Sequence, residues 1–248
     1  MIDIHCHIIP GFDDGSSCIE ESLDMAALAC DSGVTDIVCT PHVRCGEDDP
    51  MKAAENIRRL YEELTSAVDS AGIPVSLKMG AEILLSPDTP SFIERKLLPS
   101  IAGGDYMLVE FPFDAPPEYI LSLLKKTEKA GYRPVVAHPE RYSAARRSPG
   151  LLPELCDRGY VLQVNKGSIL GAFGNRIRAT ALEMLDHGLC HVIASDAHSP
   201  TARTPDMSRL IGFLDERYDP EYISVLLDEN PKRIIASGEI IRVGADVG

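Results

Sequence analysis

The chain has 248 residues, of which 44% are hydrophobic and 25% are charged. This composition can bury a full core and excludes the disordered classes, and the length suits one α/β barrel, so we expect residues 1–248 to form a single domain. The formal net charge of −14 excludes most nucleic-acid partners, because phosphate backbones require clustered lysine and arginine.

Short apolar runs alternate with longer amphipathic stretches along the chain. In chain order, the runs predict strands at Ile2–His5, Thr35–Thr40, Val75–Ile83, Tyr106–Phe111, Arg133–Ala137, Val161–Val164 and His191–Ala194. The stretches predict helices at about Ser17–Ser32, Met51–Ala71, Pro117–Ala130, Leu151–Arg158, Asn175–His187, Asp206–Tyr218 and Pro220–Ser237. Nearly continuous apolar strands in regular alternation with helices predict a parallel sheet, either a barrel or a doubly wound sheet.

Local signals mark the ends of the predicted helices. Ser17 and Glu20 have the spacing of a capping box at the start of the first helix. A glycine after a helix and before a strand predicts a left-handed helix terminus, and this pattern occurs at Gly33, Gly72, Gly131, Gly159 and Gly188.

The N-terminus and the cysteines predict a cytoplasmic protein without membrane insertion. No apolar run approaches the roughly 18 residues of a membrane span, and Met1–His7 lacks the regions of a signal peptide. The seven cysteines form no Cys-x-x-Cys pair, which argues against disulfides or a zinc ribbon. Cys6 stands between two histidines, but a strand would point it to the opposite face, so we expect it in the core.

Histidines and carboxylates collect at the C-terminal ends of the predicted strands. A lone residue of this kind is usually a turn or capping residue. Strand C-termini of a parallel fold meet on one face, however, and six strands that all deliver such side chains favour a metal cluster. The candidate ligands are His5, His7, Asp14, His42, Glu82, Glu110, His138, Asp196 and His198.

The candidate ligands indicate the kind of metal centre. His5 and His7 are two residues apart, so a strand directs both to one face, where they can hold one ion. Nitrogen and oxygen ligands without thiolates suit Mn, Fe or Zn rather than a structural zinc site. Nine ligands are too many for one ion; with bridging carboxylates they could hold two or three, and neighbouring ions are the usual arrangement for hydrolysing phosphoesters.

These motifs resemble the polymerase-and-histidinol-phosphatase (PHP) superfamily. The matching segments are His5-Cys6-His7, Thr40-Pro41-His42, Gly80-Ala81-Glu82, Glu110-Phe111-Pro112-Phe113, His138-Pro139-Glu140-Arg141-Tyr142 and Ser195-Asp196-Ala197-His198. More specifically, the chain resembles bacterial tyrosine phosphatases of capsule and exopolysaccharide synthesis. In these the first motif continues as Asp-Asp-Gly, here Asp13-Asp14-Gly15, and the last continues to an arginine, here Arg203. The resemblance runs from Met1 to about Ser237.

The resemblance implies a fold, a cofactor and roles for individual residues. The fold would be a distorted seven-stranded (β/α) barrel, and the nine candidates would hold three ions, usually Mn²⁺, with Fe or Zn as alternatives. Arg141 and Arg203 would bind the substrate phosphate. The resemblance is also compatible with a homo-oligomer.

The reaction that the resemblance implies is hydrolysis of phosphotyrosine in proteins, and we expect it to proceed by attack of a metal-bridging hydroxide. Metal binding lowers the pKa of water toward about 7, and guanidinium forks match phosphate oxygens. A phenol pKa near 10 lets the leaving group depart as phenolate with little help from an acid. By analogy, a target would be the flexible tail of a tyrosine autokinase.

Three other interpretations remain open from the sequence. A small-molecule phosphatase of the same superfamily, acting on histidinol phosphate or a nucleotide monophosphate, would share the metals and differ in its rim loops, here Cys45–Pro50 and Pro112–Pro117. An inactive metal-binding module would lack ligands. An oligomeric scaffold could use the alanine-rich helix Glu20–Ser32. Lys166, after the sixth predicted strand, is expected to be a solvated lysine rather than a substrate contact.

Overall fold

The structure is a computed structural model that describes residues 1–45 and 49–243. Its strands are β1 (Ile2–Cys6), β2 (Asp36–Cys39), β3 (His42–Arg44), β4 (Ser76–Met79), β5 (Glu82–Leu84), β6 (Tyr106–Glu110), β7 (Arg133–Ala137), β8 (Val161–Asn165) and β9 (Val192–Ala194). Its α-helices are α1 (Ile19–Asp31), α2 (Pro50–Ala71), α3 (Thr89–Glu94), α4 (Pro117–Lys129), α5 (Ser143–Arg147), α6 (Leu151–Asp157), α7 (Lys166–Ile169), α8 (Asn175–Asp186), α9 (Ser208–Asp215), α10 (Pro220–Ser224) and α11 (Asn230–Ile235). Within these residues no helix combines the length and apolarity needed to cross a membrane.

All strand pairings are parallel, which confirms the predicted α/β class. One sheet has the order β1-β2-β4, and the other has the order β3-β5-β6-β7-β8-β9. A lone bridge from Cys6 to Ala197, with a 2.8 Å bond from His7 N to Ala197 O, joins β1 to the segment after β9. Among the described residues the sheets do not close, so the seven-stranded barrel stays a prediction.

Two interruptions separate consecutive strands, and the second lies inside a strand that the sequence predicts as continuous. Thr40-Pro41 separates β2 from β3, because Pro41 has no N–H to donate to a ladder. Gly80-Ala81 separates β4 from β5, and a Cβ on Gly80 would lie 2.9 Å from Val38 Cγ1, so the close approach there requires glycine. The predicted strand Val75–Ile83 is therefore two strands, and β3 was not predicted.

The helix predictions hold to within a few residues, with two differences. The helix predicted at Pro220–Ser237 is divided into α10, a π-helical turn at Val225–Glu229 and α11, because Pro231 cannot donate an N–H and its ring crowds the preceding turn. The predicted capping box is wrong: Cys18 occupies the N-cap position of α1 without a side-chain capping bond, and Ser17 N and Oγ donate to Glu21 Oε2 at 2.8 Å. The five predicted terminal glycines all have φ between +65° and +92°.

The core has two parts that together position the strand ends. One cluster packs strands against helices and includes Cys6, as predicted, and burial raises the pKa of this thiol well above its ordinary value. The other cluster lines the inner face of the strands and includes Val161 of β8. Gln163 and Asn165 follow Val161 at every second position, so they continue the same face toward the C-terminal end of β8. The inner face is thus apolar at one end and polar at the other.

Candidate metal centre

The nine predicted ligands lie together at the polar end of the strands. His5 lies in β1, Glu110 ends β6, and His138 follows β7. His42 and Glu82 begin the short strands β3 and β5, directly after the two interruptions. Asp14 is the outermost of the nine, with a 65% exposed side chain, whereas each of the other eight side chains is at most 16% exposed.

Glu82 lies at the centre of the cluster. Its Oε2 atom is 3.2 Å from His5 Nε2, 3.3 Å from His7 Nε2 and 3.1 Å from His42 Nδ1. Its Oε1 atom is 2.8 Å from His138 Nε2. One buried carboxylate therefore faces four imidazoles, which is a far larger concentration of nitrogen donors than a structural ion pair requires.

Asp196 forms a second focus beside Glu82. Its Oδ1 atom lies 3.5 Å from the Nε2 atoms of both His5 and His7, and 3.6 Å from His198 Nδ1. Burial alone would raise the pKa of Asp196, but His5, His7 and His138 outweigh it and hold this pKa below its usual range.

Eight of the nine residues fall into three groups whose donor atoms lie within 4.8 Å of one another. The groups are His7, Asp14, His42 and His198; His5, His7 and Asp196; and His42, Glu82 and Glu110. His138 is outside these groups and reaches the cluster through Glu82. The shared residues link the groups into one continuous centre.

The donor set fits divalent cations. Glu82 Oε2 and His42 Nδ1 are buried and have no hydrogen-bond partner among the described residues. The Nε2 atoms of His5 and His7 face each other at 3.1 Å. Unpartnered buried polar atoms cost about 1–3 kcal/mol each, and a cation bound among them would satisfy their lone pairs. Nitrogen and oxygen donors without a thiolate match Mn, Fe or Zn.

Two residues that the sequence did not single out orient the imidazoles of His5 and His7. His7 Nδ1 lies 2.7 Å from Asp13 Oδ2, which also accepts from His42 N at 2.8 Å. His5 Nδ1 lies 2.9 Å from Gln163 Oε1. Such partners fix the ring orientation of metal-binding histidines. The signals available were the first aspartate of Asp13-Asp14-Gly15 and a glutamine, Gln163, inside an apolar strand.

The carboxylates dominate the electrostatics of the imidazoles. Burial lowers the pKa of His7, but Asp13, Asp196 and Glu82 outweigh it and hold this pKa well above its ordinary value. Burial likewise opposes the charged form of His42, yet Glu110 and Glu82 raise its pKa to about 10. The carboxylates favour positive charge among these rings, which is also what a metal ion supplies.

Both predicted phosphate-binding arginines reach the same pocket. Arg203 Nη2 lies 2.5 Å and Arg141 Nη1 lies 3.4 Å from Asp196 Oδ2. Arg203 Nε is buried without a hydrogen-bond partner among the described residues. The pocket has a volume of about 380 Å³, and Glu82, Glu110, His138, both arginines and Phe113 are among the residues that line it.

Backbone strain concentrates at this centre. Outside glycine, six described residues have positive φ, and three of them are predicted site residues: His138 at +37°, Asp196 at +51° and Arg203 at +51°. Residues other than glycine rarely adopt this region, and such strained conformations cluster at active sites and ligand-binding loops.

Lys166 corrects one prediction. The side chain is not solvated: the residue is 7% exposed, and its Nζ donates to Thr204 O and, at 2.8 Å, to Asp206 O. The lysine therefore ties the loop that carries Arg203 to the start of α7. Of the predicted rim loops, Cys45–Pro50 lies partly outside the described residues.

Comparison with known proteins agrees with this geometry. The family model described as capsular polysaccharide synthesis, CpsB/CapC, matches residues 1–236. The chain is 34% identical over 242 residues to the tyrosine-protein phosphatase YwqE of Bacillus subtilis, covering 98% of this chain and 94% of that one. It is 37% identical over 206 residues to CapC of Staphylococcus aureus, a putative tyrosine-protein phosphatase, covering 82% and 79%.

The fold is also similar to a solved structure from the same group. A crystal structure from work on YwqE of Bacillus subtilis and CpsB of Streptococcus pneumoniae, described as metal-dependent tyrosine phosphatases, superposes with a TM-score of 0.87. The two chains are 32% identical, and the match covers 98% of this chain and 97% of that one.

Proposed function

The chain belongs to the CpsB/CapC family of capsular polysaccharide synthesis, and we propose that it is a metal-dependent protein-tyrosine phosphatase. The observation that carries this proposal is the meeting of four imidazoles around the buried Glu82, beside two arginines in one pocket. The similarity to tyrosine phosphatases over nearly the whole chain supports the substrate class.

The proposed cofactor is Mn²⁺, with three ions held by the nine residues of the centre. Three overlapping donor groups support that number. When bound, the ions supply positive charge for the phosphate and a water activated at neutral pH. His7 can offer only Nε2, because its Nδ1 is held by Asp13, so it serves one of the two groups in which it takes part.

The arginines and the leaving group account for the rest of the reaction. In our proposal Arg141 and Arg203 turn their guanidinium groups from Asp196 to the phosphate, and the buried Nε of Arg203 is a donor without a partner in the described residues. Planar guanidinium donors match phosphate oxygens and stabilise charge that develops on them. Phenolate departs readily at a phenol pKa near 10, so no dedicated acid is required.

The fold can be counted as seven barrel positions. We propose that β2 with β3, and β4 with β5, each form one interrupted strand, because only two residues separate the members of each pair. The strands then follow one another in the sheet in the same order as in the chain, from β1 to β9. The bridge from Cys6 to Ala197 marks where the first strand approaches the segment after the last. This barrel would be the single domain of residues 1–248.

The proposed substrate is a phosphotyrosine protein in the cytoplasm, such as the tail of a tyrosine autokinase. A flexible tail suits this site, because the candidate ligands other than Asp14 are recessed and the phosphate must reach them. The strongly acidic composition argues against nucleic acid.

The test compares three substrates on chelated protein reloaded with Mn²⁺: a phosphotyrosine peptide, histidinol phosphate and a nucleotide monophosphate. We expect preference for the peptide, loss of activity on chelation and in His138→Ala, and full activity in the control His187→Ala, whose side chain is exposed. Preference for either small molecule would overturn the substrate class and keep the metal centre. Stoichiometric metal without activity on any substrate would indicate an inactive module.

A further inference from the structure

Phe113 is an apolar side chain at the mouth of the candidate active-site pocket. It is 47% exposed, and among residues 1–45 and 49–243 only Met51 is another large hydrophobic side chain with such exposure. A single exposed phenylalanine is ordinary on a protein surface. Phe113 differs because it lines the same pocket as Glu110, His138 and Arg141.

The ring of Phe113 is held in place by its neighbours. The guanidinium carbon of Arg141 lies over it, 4.5 Å from its centroid. The centroids of the His138 and Tyr142 rings are 6.0 Å and 6.2 Å away. Phe113 is therefore an oriented aromatic surface at the rim, next to a residue that would bind phosphate.

The depth of the pocket determines which part of a substrate meets this ring. Glu82 and His138 on the floor are almost fully buried, while Phe113 is nearly half exposed. A phosphomonoester whose phosphate lies on the floor must project its organic group past the rim. Aromatic rings pair favourably at centroid distances of about 4.5–7 Å, so a phenyl ester presents its ring where Phe113 can contact it. An alkyl ester such as phosphoserine presents only a methylene group.

We propose that Phe113 is a specificity-determining residue that favours aryl phosphates by stacking on the substrate ring. This inference rests on the proposed function and deepens it, because it assigns the preference for tyrosine to one side chain. Arg141 and Arg203 contact the phosphate that all phosphomonoesters share, so they cannot discriminate between aryl and alkyl esters.

Phe173 provides a matched control for this proposal. Its ring also lies 4.5 Å from the guanidinium carbon of Arg141. It lines a different pocket, with Lys166, Leu170 and Arg209, and not the one that contains the candidate metal ligands. Replacing either phenylalanine removes a contact to Arg141, and Phe173→Ala also removes a 5.8 Å contact to the guanidinium carbon of Arg203. Of the two rings, Phe113 is the one that lines the pocket of the candidate metal ligands.

The experiment measures binding of phenylphosphonate and methylphosphonate to the full Mn²⁺-loaded chain by titration calorimetry. Both ligands carry a C–P bond that a phosphomonoesterase does not hydrolyse. They differ in the group on phosphorus, which is a phenyl ring in one and a methyl group in the other. Phe113→Ala is expected to weaken phenylphosphonate about three- to tenfold and methylphosphonate less than about twofold. Phe113→Tyr is expected to retain the preference, and Phe173→Ala to change both affinities by the same factor.

Three results would overturn the proposal: unchanged phenylphosphonate binding in Phe113→Ala, equal weakening of both ligands in that variant, or the same loss of preference in Phe173→Ala. The second result would mean that Phe113 acts through Arg141. Turnover of a phosphotyrosine peptide by the wild type is measured in parallel. Its absence would refute the proposed function, whereas the ratio of the two phosphonate affinities tests Phe113 alone.

Discussion

Asp13 Oδ2 lies 2.7 Å from Nδ1 of His7, so the other ring nitrogen, Nε2, is the one that faces Glu82 and Asp196. The acid also accepts the backbone N–H groups of His42 and Gly15, at 2.8 Å and 2.9 Å. One carboxylate thus orients a candidate ligand and shapes the loop that presents Asp14.

Asp13→Asn is expected to lower metal affinity about 10- to 100-fold, because the amide orients the His7 ring less firmly and reduces its basicity. Metal binding is measured by titration of chelated protein with Mn²⁺. Asp24→Asn, an exposed position on α1, is the control and should bind metal normally. Unaltered affinity in Asp13→Asn would mean that Asp13 serves the loop alone.

Arg203→Lys is expected to lower kcat/KM for a phosphotyrosine peptide about 100-fold while the number of bound ions stays unchanged. Lysine keeps the charge and must adopt the same positive φ, but it lacks the planar fork. The measurement pairs steady-state kinetics with metal analysis, and Arg217→Lys, at an exposed side chain, is the control. Loss of metal in Arg203→Lys would assign the arginine to the metal centre instead.

Lys166→Met is expected to destabilise the fold by about 1–3 kcal/mol, because the carbonyls of Thr204 and Asp206 lose a buried donor. The loop that carries Arg203 should loosen, so KM should also rise severalfold. Urea unfolding and kinetics test this, with the exposed Lys232→Met as control. A variant as stable as the wild type would show that the buried charge costs as much as its two hydrogen bonds contribute.

His191 is expected to make the metal-free protein less stable in acid. Both ring nitrogens face N–H groups, those of Leu162 and Arg242, and burial together with the charge of Arg242 lowers the pKa of His191 to about 3. The unfolded chain takes up this proton near pH 6.5 and the folded chain does not, so the contribution is present above pH 6.5 and is lost as pH falls toward 3.

This contribution should amount to about 2 kcal/mol between pH 6.5 and 4.5. In His191→Gln, the difference between unfolding free energies at these two pH values should shrink by that amount, as measured with urea after chelation. His187→Gln, at an exposed position, should keep the wild-type difference. An identical pH response in His191→Gln and the wild type would refute the assignment.

The sequence alone determined the features that follow from local periodicity. Parallel strands direct their C-termini to one face, so the positions of His5, His42 and His138 after apolar runs were enough to predict that they would meet. The two-residue period of a strand likewise predicted that Cys6 would point away from His5 and His7 into the core. These inferences need no knowledge of distant contacts.

Only the tertiary structure decided the features that depend on pairs far apart in the chain. Lys166 is buried because the loop that carries its carbonyl acceptors, about forty residues later in the chain, packs against it. Gln163, which lies 158 residues from His5 in the chain, holds the ring of His5. The stacking of Arg141 on Phe113 and Phe173 joins three separate segments of the chain. Hydrophobic and hydrogen-bonding patterns in a single sequence report which face a residue occupies, but which partner it meets there is set by the packing of all the strands together.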